Sequence, residues 1–299
     1  MSYGAIHAAV LQWYGESGRD LPWRRTRDPY RVLVSEMMLQ QTQVDRVLPK
    51  YADFLAQFPT FADLASAPDA AVIRAWQGLG YNLRAVRLQR IARQVMERHA
   101  GRLPDTLPEL LSLDGIGPYT AGAVACFAFG LPEPVLDTNV RRVLVRIVLG
   151  PDGPRSAPTA LWALAREALP TEAAYDWNQA LMDLGARVCL ERRPMCLLCP
   201  AQPWCAAAGK VASTVRERPA DYAARLQTPF TGSTRYYRGR IVERLRGVES
   251  GEEISLEQLG AAVKSDFTAD DLPWLRDLTV RLAKDGLLKI GETGAVRLP

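Results

Sequence analysis

Leu111-Ser-Leu-Asp-Gly-Ile-Gly-Pro-Tyr-Thr-Ala-Gly122 is followed fifteen residues later by Asp137, within Val135-Leu-Asp-Thr-Asn-Val140. The stretch reads as a helix, a two-glycine hairpin and a second helix, with a carboxylate delivered just beyond. Gly115 and Gly117 can take the positive φ angles of a tight helix-to-helix turn, and they leave backbone N–H groups bare where the next helix starts. Such a turn can seat a phosphate. An isolated Gly-x-Gly is equally the material of an ordinary αα-corner, so the rest of the chain has to decide. Asp137 opens a helix predicted over 137–149, where Asp is a favoured cap. One carboxylate oxygen can cap while the other stays available for chemistry.

Upstream, Val32, Leu33, Met37, Leu39, Val44, Val47 and Leu48 predict one long helix from Tyr30 to about Leu48, with no breaker before Pro49. Glu36 lies in its most apolar part, Val34-Ser-Glu-Met-Met-Leu39. A carboxylate facing the core there loses hydration and gains the raised pKa that a general acid needs near neutral pH. Periodicity alone leaves open whether Glu36 faces inward or outward. Gln40-Gln-Thr-Gln43 follows, four neutral hydrogen-bonding side chains suited to base edges or to filling a gap in a duplex. Gly78-Leu-Gly-Tyr-Asn-Leu-Arg-Ala85 is a glycine-flexed turn presenting Tyr81, either as a wedge into a base stack or as a local packing contact. Leu21-Pro-Trp-Arg-Arg25 offers Trp23 and Arg24 for stacking on a nucleotide, or a packed Trp with an Arg lying along it.

Further helices are expected over 4–16, in short amphipathic pieces over 51–100, and over 120–129, 158–170 and 175–187, the last bearing Asn178 and Gln179. The 299 residues suffice for a sizeable core and two domains, and 48% of them are apolar, as in a globular protein. There is no run of eighteen apolar residues and no secretory pattern, so neither a membrane span nor an exported protein is expected. The expected location is the cytoplasm. The net charge of +4 is mild, but only five of the 37 basic residues are lysine. Arginine suits bidentate phosphate contacts; a biased genome composition explains it equally well.

Four of the five cysteines fall in Cys189-x6-Cys196-x2-Cys199-x5-Cys205. Clustering of this kind in a cytosolic chain argues for a metal centre over disulfides. Zinc and a [4Fe–4S] cluster are both possible, and the single short Cys-x2-Cys pair leans to iron–sulfur. Arg192 and Arg193 in the first loop place two guanidiniums beside that centre, as a phosphate-contacting loop would. Residues 207–234 lack a sustained period and read as a linker. The tail, 235–299, reads as three helices near 235–246, 255–264 and 268–284, then a hairpin over 287–298, an order that resembles a small winged-helix module.

Taken together, Leu21-Pro-Trp-Arg24, Asp28-Pro-Tyr30, Ser35-Glu-Met-Met-Leu-Gln-Gln-Thr-Gln-Val44, Gly78-Leu-Gly-Tyr81, Gly115-Ile-Gly-Pro-Tyr-Thr-Ala-Gly122, Leu136-Asp-Thr-Asn-Val140, Asn178-Gln-Ala-Leu-Met-Asp-Leu-Gly185 and the cysteine pattern resemble the catalytic part of MutY-type adenine DNA glycosylases. The resemblance implies a mainly α, two-lobed helix–hairpin–helix fold over 1–206, with a [4Fe–4S] cluster held within 189–205 by Cys189, Cys196, Cys199 and Cys205. It implies a base-excision-repair enzyme, acting as a monomer on double-stranded DNA, that flips out adenine opposite 8-oxoguanine or guanine. By the same resemblance Glu36 protonates the departing adenine, Asp137 stabilises the oxocarbenium-like sugar, Tyr119 assists the two carboxylates and Asn139 supports the attacking water. Gln40 and Gln41, with Tyr81, would enter the duplex near the lesion pair. Trp23, Arg24 and Gln179 would lie on the adenine side, and Gly115 and Gly117 would anchor the DNA backbone.

Bifunctional relatives carry a lysine after the hairpin, whose amine forms a Schiff base with the sugar. Tyr119 stands there, so a monofunctional enzyme is expected. The sequence departs from the family in three places. A winged-helix-like tail replaces the usual NUDIX-like domain, Asn82 stands where a second tyrosine is common, and Thr138 where glycine is. Two other readings are carried forward, a glycosylase removing thymine, uracil or hypoxanthine opposite guanine and a non-catalytic iron–sulfur protein that binds DNA.

Overall fold

The computed structural model describes residues 3–151, 158–211, 230–249 and 251–299. Most of the linker expected over 207–234 lies outside the described residues. The chain divides into two units that alternate along the sequence. The first takes Met1–Val32, Asp105–Leu111 and Ile116–Arg225, and the second takes Leu33–Pro104, Ser112–Gly115 and Leu226–Pro299. No helix among the described residues is long and apolar enough to cross a membrane.

The first unit is built from α1 (Gly4–Ser17), the start of α2 (Pro29–Leu39), α8 (Pro118–Phe127), α9 (Thr138–Val148), α10 (Pro158–Glu167) and α11 (Ala174–Arg187). Every residue of α8 from Thr120 to Phe127 is buried, so it forms the apolar centre of this unit. In α9, Val140, Val143, Leu144 and Ile147 are buried, the i, i+3, i+4, i+7 stripe of an amphipathic helix. A charge is also buried here. Asp183 on α11 is fully enclosed and accepts from Arg24 Nη1 and Nη2 at 2.9 and 2.7 Å and from Arg19 N and Nε at 2.8 Å each. Burial alone would push this carboxyl up, but the Arg24 and Arg19 bonds outweigh it and hold it below the usual carboxylate range.

The second unit contains the rest of α2, α3 (Val44–Gln57), α4 (Phe61–Ser66), α5 (Asp69–Ala75) and α6 (Leu83–Arg98), which precede α7 (Leu107–Ser112). The single helix expected over Tyr30–Leu48 is two helices, with the break at Gln40–Gln43. Pro49 lies inside α3 and does not end it. The break has a physical cause. Gln41 adopts φ 55°, a left-handed conformation that no helix continues through, and a buried arginine described below takes the freed carbonyls.

The tail belongs to this unit. It consists of α12 (Thr234–Arg246), α13 (Leu256–Val263), α14 (Leu272–Lys284) and the antiparallel pair β1 (Lys289–Ile290) and β2 (Val296–Arg297). Ser233 caps α12 through Tyr236 N, and a Ser255–Gln258 capping box starts α13. The third expected helix opens as a 3-10 turn over Ala269–Asp271 before α14 begins. Ile254 bridges Val296 through two backbone bonds of 2.9 Å, which adds a third extended segment to the hairpin. The tail core of Ile241, Leu245, Leu259, Leu278 and Val296 is continuous with Ala70 and Ile73 of α5.

Candidate active site

The hairpin differs from its expected form at one glycine. Gly115 has φ 106°, and a Cβ there would lie 3.5 Å from Arg87 and Ile91 side-chain atoms. Gly117 is extended, with φ −95° and ψ 176°, and is the N-cap of α8. Gly117 therefore does not use the positive φ expected of it. A Cβ on it would meet nothing within 4 Å, so the fold itself does not demand glycine at this position. Asp114, just before the turn, is pinned to α6, donating through its N–H to Gln94 Oε1 at 3.1 Å.

Asp137 is the N-cap of α9. Its Oδ1 accepts from Val140 N at 2.6 Å and its Oδ2 accepts from Asn139 Nδ2 at 3.2 Å. Burial pushes its carboxyl above the ordinary value, against the opposing bonds from Val140 and Asn139 and the charge of Arg142. Asn139 is itself fixed, since its Oδ1 accepts from Arg142 Nη2 at 2.9 Å, and the same nitrogen donates to the Gly185 carbonyl at 2.6 Å. Two glycines bring the neighbouring backbone close. A Cβ on Gly122 would stand 2.8 Å from the Pro134 carbonyl oxygen, and one on Gly185 would stand 2.7 Å from Asn139 Cβ. Asn178 ties down the loop before Asp137 by donating to the Glu133 carbonyl at 2.9 Å and accepting from Val135 N at 3.0 Å. The surroundings of the carboxylate are thus built by six residues spread over α8, α9 and α11, Gly122, Asn139, Val140, Arg142, Asn178 and Gly185.

Tyr119 is half-buried near the start of α8. Trp23, 6% exposed, lies in a 3-10 turn over Pro22–Arg24. Arg24 is committed to Asp183, and Gln179 is buried on α11. In the second unit Glu36 is 4% exposed, which removes the outward-facing reading that periodicity left open.

Gln40, Gln41 and Tyr81 are brought together by a residue that the sequence reading passed over. Arg84, 5% exposed, donates through Nη1 to the carbonyls of Met37, Met38 and Gln40 at 3.0, 2.7 and 2.5 Å. Through Nη2 it donates to Thr42 Oγ1, the Leu79 carbonyl and the Gly80 carbonyl at 2.9, 3.1 and 3.1 Å. It therefore satisfies the open C-terminal carbonyls of α2 and clasps the Tyr81 loop with the other edge of its fork. Burial pulls its guanidinium down to about 10, still charged at neutral pH. Gln41 and Tyr81 both adopt left-handed backbone, φ 55° and 44°, and both side chains are exposed. The signal was present in the sequence as an arginine on the apolar stripe of Leu88, Ile91 and Val95. Asp183 stands out among Trp177, Ala180, Leu181 and Leu184 in the same manner.

Cys189, Cys196, Cys199 and Cys205 all line one cavity of about 410 Å³, counting the part open to solvent, whose walls include Val143, Ile147 and Leu184. Among the described residues no three potential ligands lie close enough to grip a single ion. Four thiols around one apolar cavity are a donor set that suits an iron–sulfur cluster. Arg146 braces the loop, donating through Nη1 to Cys189 Sγ at 3.4 Å and to the Leu190 carbonyl at 2.7 Å. Burial pushes the Cys199 thiol up to about 11. Arg192 and Arg193 are exposed on this loop.

The class follows from residues 34–167, which match the family model described as HhH-GPD superfamily base excision DNA repair protein. The chain is 40% identical over 297 residues to the adenine DNA glycosylase of Mycobacterium tuberculosis (strain CDC 1551 / Oshkosh), over 95% of this chain and 93% of that one. It is 44% identical over 219 residues to the adenine DNA glycosylase of Homo sapiens, over 69% of this chain and 40% of the human one. Among solved structures, a thermostable thymine-DNA glycosylase superimposes with a TM-score of 0.65 at 32% identity, over 71% of this chain and 97% of that one. The chain belongs to the adenine DNA glycosylase family of the HhH-GPD superfamily. The mycobacterial match covers 95% of this chain and so takes in most of the tail.

Proposed function

We propose that the protein is a monofunctional DNA N-glycosylase of base excision repair that removes adenine paired with 8-oxoguanine or guanine. The observation that carries the proposal is Asp137, a carboxylate capping the helix after the hairpin and fixed by Asn139, with a tyrosine at the position where a lysine would form a Schiff base. The adenine reading is supported by the 40% identity over nearly the whole chain to an adenine DNA glycosylase.

The target bond is unreachable inside a stacked duplex, so adenine is flipped out first. Gly115, Gly117, Arg192 and Arg193 contact the phosphate backbone, and Gln40, Gln41 and Tyr81 fill the space that the base leaves. Trp23, Arg24 and Gln179 line the adenine side, with Arg24 acting from its clamp on Asp183. Glu36, as the buried acid, donates its proton to N7 of adenine, so that the base departs neutral. The C1′–N9 electron pair leaves with the base, and positive charge develops on the sugar. Asp137 stabilises that charge, electrostatically or through a transient ester, and water adds at C1′, giving its proton to the now ionised Glu36, to leave an abasic site. Tyr119 assists the carboxylates and Asn139 orients the water. When bound through Cys189, Cys196, Cys199 and Cys205, a [4Fe–4S] cluster would supply a rigid, charged anchor for the Arg192–Arg193 loop.

A second reading is removal of thymine, uracil or hypoxanthine opposite guanine, of which the 32% identity to a thymine-DNA glycosylase supports thymine alone. Single-turnover reactions on duplexes pairing A, T, U and hypoxanthine with G and with 8-oxoguanine, each followed by alkali, separate the two. Adenine release with breaks only after alkali is the expected result. Release of T or U opposite G with A untouched selects the second reading, and release from no duplex overturns both.

A further inference from the structure

We infer that the C-terminal module braces the Tyr81 loop, with Arg246 acting on Asn82 as the positioning contact. This rests on the reading of Tyr81 as the side chain that enters the duplex. The loop between α5 and α6 holds Gly78, Gly80 and Tyr81 at φ 88°, 71° and 44°. Glycine accepts this; a bulky residue there is strained and persists only where its surroundings over-determine it.

Two sets of contacts do so. From within, Arg84 bonds the Leu79 and Gly80 carbonyls, and Trp76 Nε1 donates to the Gly80 carbonyl at 3.2 Å. From the tail, Arg246 at the end of α12 donates through Nη2 to Asn82 Oδ1 at 2.9 Å, and through Nε and Nη2 to the Ile73 carbonyl at 3.1 and 2.9 Å. Arg74 returns the contact by donating to the Val248 carbonyl at 3.0 Å, and Gln77 donates to Glu243 at 2.5 Å. Both stems of the loop, the end of α5 and the start of α6, are therefore gripped at one place by one helix.

Asn82 identifies the grip as directed at the loop. It opens α6 with helical backbone angles (φ −55°, ψ −23°) and makes no capping bond to its own helix, which leaves its side-chain oxygen turned to Arg246. A tail held only by its apolar face would need no such bond. The Arg246 side chain is 7% exposed, so the bond to Asn82 is sheltered from solvent competition.

The test is a double-mutant cycle in the full chain, reading single-turnover excision of adenine opposite 8-oxoguanine, with melting temperature in parallel. Asn82→Ala should slow excision about tenfold, the loss of one charge-assisted hydrogen bond, and Arg246→Met, which also gives up the bonds to the Ile73 carbonyl, at least as much. Neither should slow it further in a Tyr81→Ala background, because a contact that works through Tyr81 has nothing left to position. A merely structural effect would persist there. Wild-type rates, or losses undiminished without Tyr81, overturn the brace. Should Arg246→Met fail to fold, Asn82→Ala carries the cycle alone. If Tyr81→Ala excises at full rate, the wedge reading itself fails and the brace with it. If Tyr81→Ala is slow while Asn82→Ala is not, only the brace fails.

Discussion

Arg84 donates to the Gln40 carbonyl at 2.5 Å across 44 residues of sequence, and its guanidinium carbon stands 5.6 Å from the centre of the Tyr81 ring. One side chain thus ends α2, permits the left-handed turn at Gln41 and stabilises the second left-handed turn at Tyr81. Arg84→Met would leave several buried carbonyls without a donor and should cost about 3 kcal/mol of stability, measurable by urea denaturation. Arg84→Lys should recover only part of this, since an ammonium cannot span both loops as a planar fork does. Equal stability of the Lys variant and the wild type would contradict the clasp.

Asp137→Asn tests the carboxylate without breaking the cap, because Asn caps a helix about as well as Asp. Excision should fall by several orders of magnitude while the melting temperature and affinity for a mispaired duplex stay near wild type. Turnover close to normal would remove Asp137 from the chemistry.

The pH dependence has a definite sign. Burial raises the Asp137 pKa, and Asn139 and Arg142 pull against that rise. If the ionised form is the working one, activity is lost as pH falls through this raised value, so the acid limb of the pH–rate profile lies above the ordinary Asp range. Arg142→Met removes a lowering charge and releases Asn139, and should move the limb to still higher pH. A limb that stays put, or moves down, would show that another group sets it.

Gly185→Ala should destabilise the protein, although glycine-to-alanine exchange within a helix normally stabilises it. The added methyl would meet Asn139 Cβ at 2.7 Å and its Cα at 3.2 Å, so α9 and α11 must part. A loss of about 1–3 kcal/mol is expected from such overpacking, with a larger drop in excision than in DNA binding, because the displaced residue is the one bonded to Asp137. Unchanged excision kinetics would show that the approach of α11 to Asn139 does not position the carboxylate.

Cys196→Ser should remove the cluster that the four thiols are proposed to hold. The expected result is a preparation without the visible absorbance of iron–sulfur, with reduced DNA affinity. A colourless variant that is fully active and binds normally would refute the role of the cluster.

The sequence by itself determined the helical class, because α1, α9 and α11 carry apolar residues at helical spacing and need no partner to be read. It determined the hairpin from Gly115-Ile-Gly117, the carboxylate that follows and the four-cysteine loop, because each is a short motif whose chemistry is local. The inward position of Glu36 was beyond it, since the surrounding run is apolar on every side and gives no preferred face. So was the break at Gln40–Gln43, where local apolar spacing continues through a turn that only a distant arginine makes tolerable. Arg24 shows the same limit. A Trp-Arg pair beside a proline gives no hint that the guanidinium is held by Asp183, 159 residues away. Asn82 reads as an unexplained substitution until Arg246 of the tail is seen to hold it. Periodicity reports which face of a helix is buried. Which buried donor meets which buried acceptor is set by long-range packing, because each such group has to be satisfied somewhere and the sequence does not say where.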